Sequence, residues 1–212
     1  MKRIICLMFM GLLIPVMAAA QDVTANASDN ASSFSFGPHF GFHFFSCDDV
    51  NQYIEDDLSE YSVEGGSTDM FLAFDLGIDL KKMMTENLAI KFGVDGLFSP
   101  KFVSTSNGDS FTYVFKAVSL SATGLVFIPI STNVAFLIGA GPDYYFTWFE
   151  DYAGSGFGGR VQLGIKTKYD FEISLIGRYA KIENEKSVNG TTPDFTMDFS
   201  GVEINCTKYF EI

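Results

Sequence analysis

Residues 34–45 read FSFGPHFGFHFF, and this stretch decides the fold. Most even positions carry phenylalanine: Phe34, Phe36, Phe40, Phe42 and Phe44. The odd positions carry small or polar residues and two histidines: Ser35, Gly37, His39, Gly41 and His43. An alternation of period two over a dozen residues is typical of a β-strand with one apolar face. The sequence therefore predicts a strand that begins at Phe34.

The same alternation returns along the rest of the chain. Seven further strands are predicted at about 69–80, 88–98, 111–127, 134–146, 157–169, 171–182 and 199–212. In the fourth strand the apolar face changes parity near Lys116, which predicts either a bulge or aromatic side chains that point inward. Strands of about ten residues fit the tilted span of a bilayer.

The connections between the predicted strands alternate in length. Short ones lie at 81–87, 128–133 and about 170, and longer ones lie at 46–68, 99–110, 147–156 and 183–198. Transmembrane barrels have short periplasmic turns and longer external loops. An even number of strands places both termini on one side. The pattern predicts an all-β, eight-stranded antiparallel up-and-down transmembrane β-barrel in the bacterial outer membrane, with both termini periplasmic.

The two faces of the strands indicate which side meets lipid. One face is largely Phe, Leu, Ile and Val, whereas the opposite face carries charges: Asp75, Asp79, Lys91, Asp95, Arg160, Lys166, Glu172, Arg178 and Glu203. An eight-stranded barrel is too narrow to hold so many phenylalanines inside. The apolar face is therefore predicted to face lipid and the charges to pair within the barrel. A two-sheet sandwich and a soluble secreted barrel are the alternatives.

The N-terminal region has the features of an export signal. Lys2 and Arg3 precede an apolar run over 4–17, and three alanines end at position 20. This pattern predicts a signal peptide over 1–20, a flexible polar leader over 21–33 and the barrel domain over 34–212. A transmembrane helix is the alternative, but the apolar run is short for a span.

Charge and cysteine content exclude some classes of protein. The formal net charge of −12 argues against a nucleic-acid partner, because phosphates would repel the chain. Beyond the signal the chain has two cysteines, Cys47 and Cys206, too few for a disulfide framework. Closing the barrel would place Phe34 near Ile212 and would leave Cys206 about 23 Å from Cys47. No disulfide is predicted between them.

The later part of the chain resembles a known family. The segments GAGPDYYF at 139–146 and GFGGRVQLGIKTKYDFEISLIGRYAKIEN at 156–184 are similar to the outer-membrane-protein β-barrel domain family, the PorT-like group of small bacterial barrels. The matching motifs are Gly141-Pro142, Gly158-Gly159 and Arg178-Tyr179. The resemblance implies the fold and the compartment, and no single activity. The partners predicted for such a barrel are outer-membrane lipid and lipopolysaccharide, the barrel-assembly machinery and a surface partner at the external loops.

The sequence predicts no catalytic, cofactor-binding or metal-binding residue, and no cofactor. His39 and His43 lie about 13 Å apart along one strand, too far to share a metal ion. The loop at 47–66 is strongly acidic, and a solvated anionic loop is predicted there, with a Ca²⁺ or Mg²⁺ site as the alternative. A structural or surface-interaction role is predicted, without catalysis. The alternatives are a narrow channel and a lipid-modifying enzyme that uses His43 near the external rim.

Three ion pairs inside the barrel are predicted from the strand register. Asp75 and Lys91 lie at equal distances from the expected turn at 81–86, so they should face each other across that hairpin. Lys168 and Glu172 flank the turn near residue 170 on one face. Arg178 and Glu203 lie at similar heights on the last two strands.

Overall fold

The computed structural model describes residues 34–58, 70–104, 109–186 and 195–212. Among these residues there are ten strands: β1 (Phe34–Ser46), β2 (Met70–Thr85), β3 (Leu88–Ser104), β4 (Ser110–Ser131), β5 (Val134–Phe149), β6 (Tyr152–Thr167), β7 (Phe171–Lys186), β8 (Phe195–Asp198), β9 (Gly201–Lys208) and β10 (Phe210–Glu211). One helix, α1 (Asp48–Asp57), follows β1. The described ranges contain no helix with the length and apolar content that a membrane crossing requires. The predicted signal peptide and leader lie outside the described residues.

The strands form one closed antiparallel ring. Each strand from β1 to β7 pairs with the next along the chain. The short strands β8, β9 and β10 together occupy the position of the eighth strand in the ring. Both β9 and β10 pair antiparallel with β1, and this pairing closes the barrel. The predicted closing register is confirmed, since the amide of Ile212 donates to the carbonyl of Phe34 at 3.0 Å.

The outside of the ring is an apolar belt. The even-numbered side chains of β2 and β3 and the odd-numbered ones of β7 point outward and are exposed, among them Leu76, Ile78, Phe92, Val94, Ile173 and Leu175. Phe34, Phe36, Phe40 and Phe44 of β1 are likewise exposed, whereas Phe45 points inward. Water-soluble monomers rarely expose a continuous apolar band of this extent, and the lipid face of a membrane barrel has this form. The protein is an eight-stranded antiparallel up-and-down transmembrane β-barrel.

Two apolar clusters close the inside of the barrel at its two ends. We call the end that carries α1 the helix end, and the end that carries residues 34 and 212 the terminus end. The helix-end cluster is large and aromatic and includes Phe45, Phe71, Phe115, Phe149, Phe195 and Phe199. The terminus-end cluster is small and consists of Ala89, Leu125, Phe127 and Leu137. Between the two clusters the buried side chains are mostly polar or charged.

Helix α1 covers the helix end of the barrel. Its apolar side chains Val50 and Ile54, with Leu58 just beyond, recur every four residues and are buried in the helix-end cluster. Its acidic side chains Asp48, Asp49, Glu55, Asp56 and Asp57 are exposed. The loop predicted to be solvated is therefore a plug over this part of its length, because one face of the helix is apolar.

Two details of the predicted layout are wrong. The second and third strands meet at a two-residue turn at 86–87, because β2 runs on to Thr85. The connection predicted at 147–156 is a two-residue turn at 150–151, where Glu150 adopts a positive φ of 48°. For the fourth strand the second of the two predicted alternatives is confirmed, since the register shows no shift near Lys116 and the side chains of Tyr113 and Phe115 point inward.

Candidate functional site

A layer of charged side chains fills the middle of the barrel. We define the central polar layer as Asp75, Asp95, Asp143, Arg160, Arg178 and Glu203. All six side chains are buried. They come from six different strands, β2, β3, β5, β6, β7 and β9. Each points inward because strand alternation places it opposite the apolar outer face.

Asp95 lies at the centre of this layer. Its Oδ2 accepts from Arg160 Nη2 at 2.5 Å and from Ser119 Oγ at 2.7 Å. Arg178 Nη1 donates to the same oxygen at 3.3 Å. One carboxylate thus joins two guanidinium groups that come from other strands, which braces the ring from within.

The two arginines reach further acids on separate sides of the lumen. Arg160 Nε donates to Asp143 Oδ1 at 2.6 Å, and the Tyr145 hydroxyl donates to Asp143 Oδ2 at 2.9 Å. Arg178 Nη2 donates to Asp75 Oδ2 at 2.6 Å, and its Nε donates to Glu203 Oε2 at 2.6 Å. The predicted Arg178–Glu203 pair is confirmed.

A second group of polar contacts lies between this layer and the terminus end. Lys81 Nζ donates to Glu172 Oε1 at 2.6 Å and stands 3.3 Å from the centre of the Tyr209 ring. The Tyr209 hydroxyl donates to Asp79 Oδ2 at 3.0 Å. Lys91 Nζ lies 3.5 Å from the same Asp79 oxygen. These contacts tie β2, β3, β7 and the C-terminal segment together.

Two of the predicted ion pairs are wrong in their partners. Asp75 is opposite Leu97, and Lys91 is opposite Lys81, because the turn lies beyond the expected position. Both side chains do face inward, as predicted. Lys168 is exposed near the turn at 168–170, and the lysine that pairs with Glu172 is Lys81 from β2.

Sequence reasoning missed two inward charges, Asp143 and Lys81. Asp143 lies on the odd, inward face of β5, next to the Gly141-Pro142 motif. The sequence predicts Lys81 in a turn, although the alternation of β2 continues through it. In both cases the parity of the strand was the available signal.

His43 does not lie at an accessible rim. Its side chain is fully buried, and its Nε2 is 3.1 Å from the carbonyl oxygen of Phe199. Its ring stacks with Phe45, a member of the helix-end cluster, at a centroid distance of 5.3 Å. His43 is therefore not accessible for the lipid-modifying chemistry that was the alternative, because aromatic side chains and α1 cover the helix end of the barrel.

His39 faces the lumen at the level of the central polar layer. Its ring nitrogens lie 3.7 Å from Asp75 Oδ1, 3.5 Å from Asp79 Oδ2 and 3.0 Å from Asp95 Oδ1. The sequence predicted its direction and not its neighbours, since these come from two other strands.

Comparison with known proteins gives similar folds. No family model matches the chain. No curated protein matches either. The solved structure of Neisserial surface protein A is 12% identical, covers 84% of this chain and 97% of its own, and has a TM-score of 0.49. For the outer membrane protein OprG from Pseudomonas aeruginosa these values are 9%, 86%, 96% and 0.49.

The outer membrane protein W of E. coli is 14% identical over 86% of this chain and 100% of its own, with a TM-score of 0.40. Such values support no inference from these proteins to the function of this chain, and the PorT-like resemblance stays a prediction. The closed ring of eight antiparallel strands with its outward apolar belt is in itself the architecture of a small outer-membrane β-barrel.

Proposed function

We propose that the protein is an integral outer-membrane barrel with a closed lumen, which serves the envelope structurally or binds a surface partner at its helix end. The observation that carries this proposal is the crossing of the lumen by Asp95, Arg160 and Arg178, with Asp75 and Asp143 at the sides. Apolar clusters lie above and below this layer. An interior filled in this way leaves no continuous water path of the kind that a channel requires.

The helix end is proposed to face the cell exterior. The turns at the terminus end are two or three residues long, at 86–87, 132–133 and 168–170, which matches the short periplasmic turns of outer-membrane barrels. The longer connections after β1 and β7 are at the helix end. The exposed acidic face of α1 would then meet the medium, where it favours a cationic partner. The outward apolar belt of the barrel would contact lipid and lipopolysaccharide.

Conductance in planar bilayers tests the closed lumen. We expect the refolded full chain to give no unitary current under conditions in which an open general porin does. A variant that lacks the plug contacts, Val50→Ser with Ile54→Ser, should also stay silent, because the central polar layer lies below the helix. Regular single-channel steps from the wild type would contradict the proposal and favour a narrow channel.

Cysteine labelling in intact cells tests the orientation. In a background with Cys47→Ser and Cys206→Ser, Gln52→Cys on the exposed face of α1 should react with a membrane-impermeant maleimide. The matched variant Asn133→Cys, in the turn at 132–133, should react only after permeabilisation. The reverse pattern would place the termini outside. The absence of catalysis stays a prediction, supported by the burial of His43.

A further inference from the structure

His39 is surrounded by three carboxylates inside the barrel. Asp75 and Asp79 come from β2, and Asp95 comes from β3. The four side chains are at most 2% exposed. One ligand atom each from His39, Asp79 and Asp95 can be chosen so that all three lie within 4.8 Å of one another. Asp75 Oδ1 adjoins them, 3.7 Å from His39 Nε2.

A glycine allows this close approach. Gly77 of β2 is paired with His39 on one side and with Asp95 on the other, so it stands between them in the sheet. A side chain at this position would collide with the His39 ring, at Nε2 and Cε1. Because Gly77 has none, the imidazole lies over the intervening strand and reaches the carboxylate two strands away.

In each of the three carboxylates one oxygen, Oδ2, accepts a hydrogen bond from a neighbouring side chain. Asp75 Oδ2 accepts from Arg178, Asp95 Oδ2 accepts from Arg160, and Asp79 Oδ2 accepts from Tyr209. The Oδ1 atom of each aspartate and both ring nitrogens of His39 are buried and make no hydrogen bond of good geometry, although Nε2 lies 3.0 Å from Asp95 Oδ1. Buried polar atoms are nearly always paired. The two ring nitrogens face opposite ways, so one of them, together with carboxylate oxygens, can meet at a ligand that they share.

The charge of the interior points in the same direction. Among the described residues six carboxylates are buried: Asp75, Asp79, Asp95, Asp143, Glu172 and Glu203. Four buried cations oppose them: Lys81, Lys91, Arg160 and Arg178. With His39 neutral, as a metal ligand must be, two negative charges are left over in an interior without bulk water, where uncompensated charge is costly. A divalent cation would balance them.

We propose that His39, Asp79 and Asp95 bind a divalent transition-metal ion such as Zn²⁺, with Asp75 as a further oxygen donor. An imidazole nitrogen combined with carboxylate oxygens suits Zn²⁺ better than Ca²⁺ or Mg²⁺, which favour oxygen alone. The hydrogen bonds to the three Oδ2 atoms orient the ligands from behind, as the outer contacts of metal sites do. The sequence predicts no metal site here, because spacing along one strand relates His39 only to His43, whereas the carboxylates come from other strands.

The test uses the full barrel, refolded in detergent with and without one equivalent of Zn²⁺ and then dialysed. We expect the wild type to retain one Zn²⁺ per chain by elemental analysis. His39→Gln and Asp79→Asn should bind Zn²⁺ at least tenfold more weakly. His43→Gln is the matched control, since His43 lies on the same face of β1 and outside the cluster, and it should retain the ion. A wild type without Zn²⁺, or a folded His39→Gln that retains it equally, would overturn the proposal.

A second measurement on the wild type is independent of how the variants fold. The chain has only two histidines, so ¹⁵N-histidine spectra of an untagged protein contain two rings. Zn²⁺ should move the ring nitrogen signals of one of them and leave the other in place. If neither ring responds, His39 is instead an imidazolium held by the carboxylates, and the metal site is refuted.

Discussion

Arg178 and Asp75 form an ion pair across the lumen, with Nη2 of the arginine 2.6 Å from Oδ2 of the aspartate. The two residues lie on β7 and β2, which are not neighbours in the ring. The same guanidinium also donates to Glu203 and Asp95. One side chain therefore connects four strands, which makes Arg178 the residue on which the central polar layer depends most.

Removing this guanidinium should destabilise the barrel strongly. Arg178→Leu leaves Glu203 and Asp75 buried without their cation, and breaking a buried pair costs about 3–5 kcal/mol. We expect a clearly lower urea midpoint for the refolded protein in detergent than for the wild type. In a hydrated channel water would screen these acids, and the decrease of the urea midpoint would be slight.

Lys181→Leu is the matched control for this experiment. It removes a cation from the same strand, but Lys181 is exposed and pairs with Asp198 near the helix end at 2.8 Å. Its urea midpoint should stay close to that of the wild type, because exposed ion pairs contribute little. Equal midpoints for Arg178→Leu and the wild type would argue against a filled interior.

The direction of nearly every strand side chain could be predicted from the sequence. Side chains in a strand alternate, so one face of Phe, Leu and Ile fixes where Asp95 and Glu203 point. The closing of β1 onto the C-terminal segment was also predictable, because Phe34 and Ile212 begin and end the pattern. Both results depend on local periodicity.

The partners inside the lumen could not be predicted in the same way. Asp95 meets Arg160 across the barrel, and such contacts depend on strand tilt and stagger, which no local pattern encodes. The Asp75–Lys91 pair failed because the turn was placed too early by a few residues. Helix α1 did have a signal, since Val50, Ile54 and Leu58 recur at helical spacing within the acidic loop.

Loosening α1 should expose Cys47. The Cys47 thiol is buried beside α1, its Sγ is 3.7 Å from the carbonyl oxygen of Thr196, and burial raises the pKa of this thiol. Ile54→Ala removes a buried side chain that anchors the helix, a change that costs about 2–5 kcal/mol in a core. In a Cys206→Ser background we expect alkylation of Cys47 by a water-soluble maleimide to accelerate about tenfold or more.

A substitution at the position next to Ile54 is the control for this experiment. Glu55→Ala changes an exposed residue of the same helix and should leave the alkylation rate of Cys47 unchanged. If Ile54→Ala reacts as slowly as Glu55→Ala, the helix is not what protects the thiol.

The two cysteines should remain reduced in the folded barrel. Cys206 is paired with Phe40, seven residues along β1 from Cys47, a distance of about 23 Å. Both thiols are free in the structure. The protein should therefore migrate identically on reducing and non-reducing gels. A faster oxidised monomer would contradict the register of β1 and β9.

Trp148 offers a test of depth in the bilayer, because it is the only tryptophan of the chain. It points outward, is exposed and lies one residue before the end of β5, at the helix end. Aromatic side chains at the ends of barrel strands lie at the membrane interface. In vesicles of brominated lipids, we expect bromine near the head groups to quench Trp148 more strongly than bromine near the ends of the acyl chains.

Moving the tryptophan by four residues should reverse this preference. Tyr144→Trp combined with Trp148→Phe places the indole on the same outer face of β5, about 13 Å further along the strand. With strands tilted by roughly 40° this is about 10 Å deeper, near the middle of the apolar belt. The deep bromine label should then quench more than the shallow one. A soluble barrel or sandwich would bring neither indole into lipid, so the absence of quenching in both proteins would contradict the transmembrane fold. Equal quenching by both labels would contradict the placement of β5.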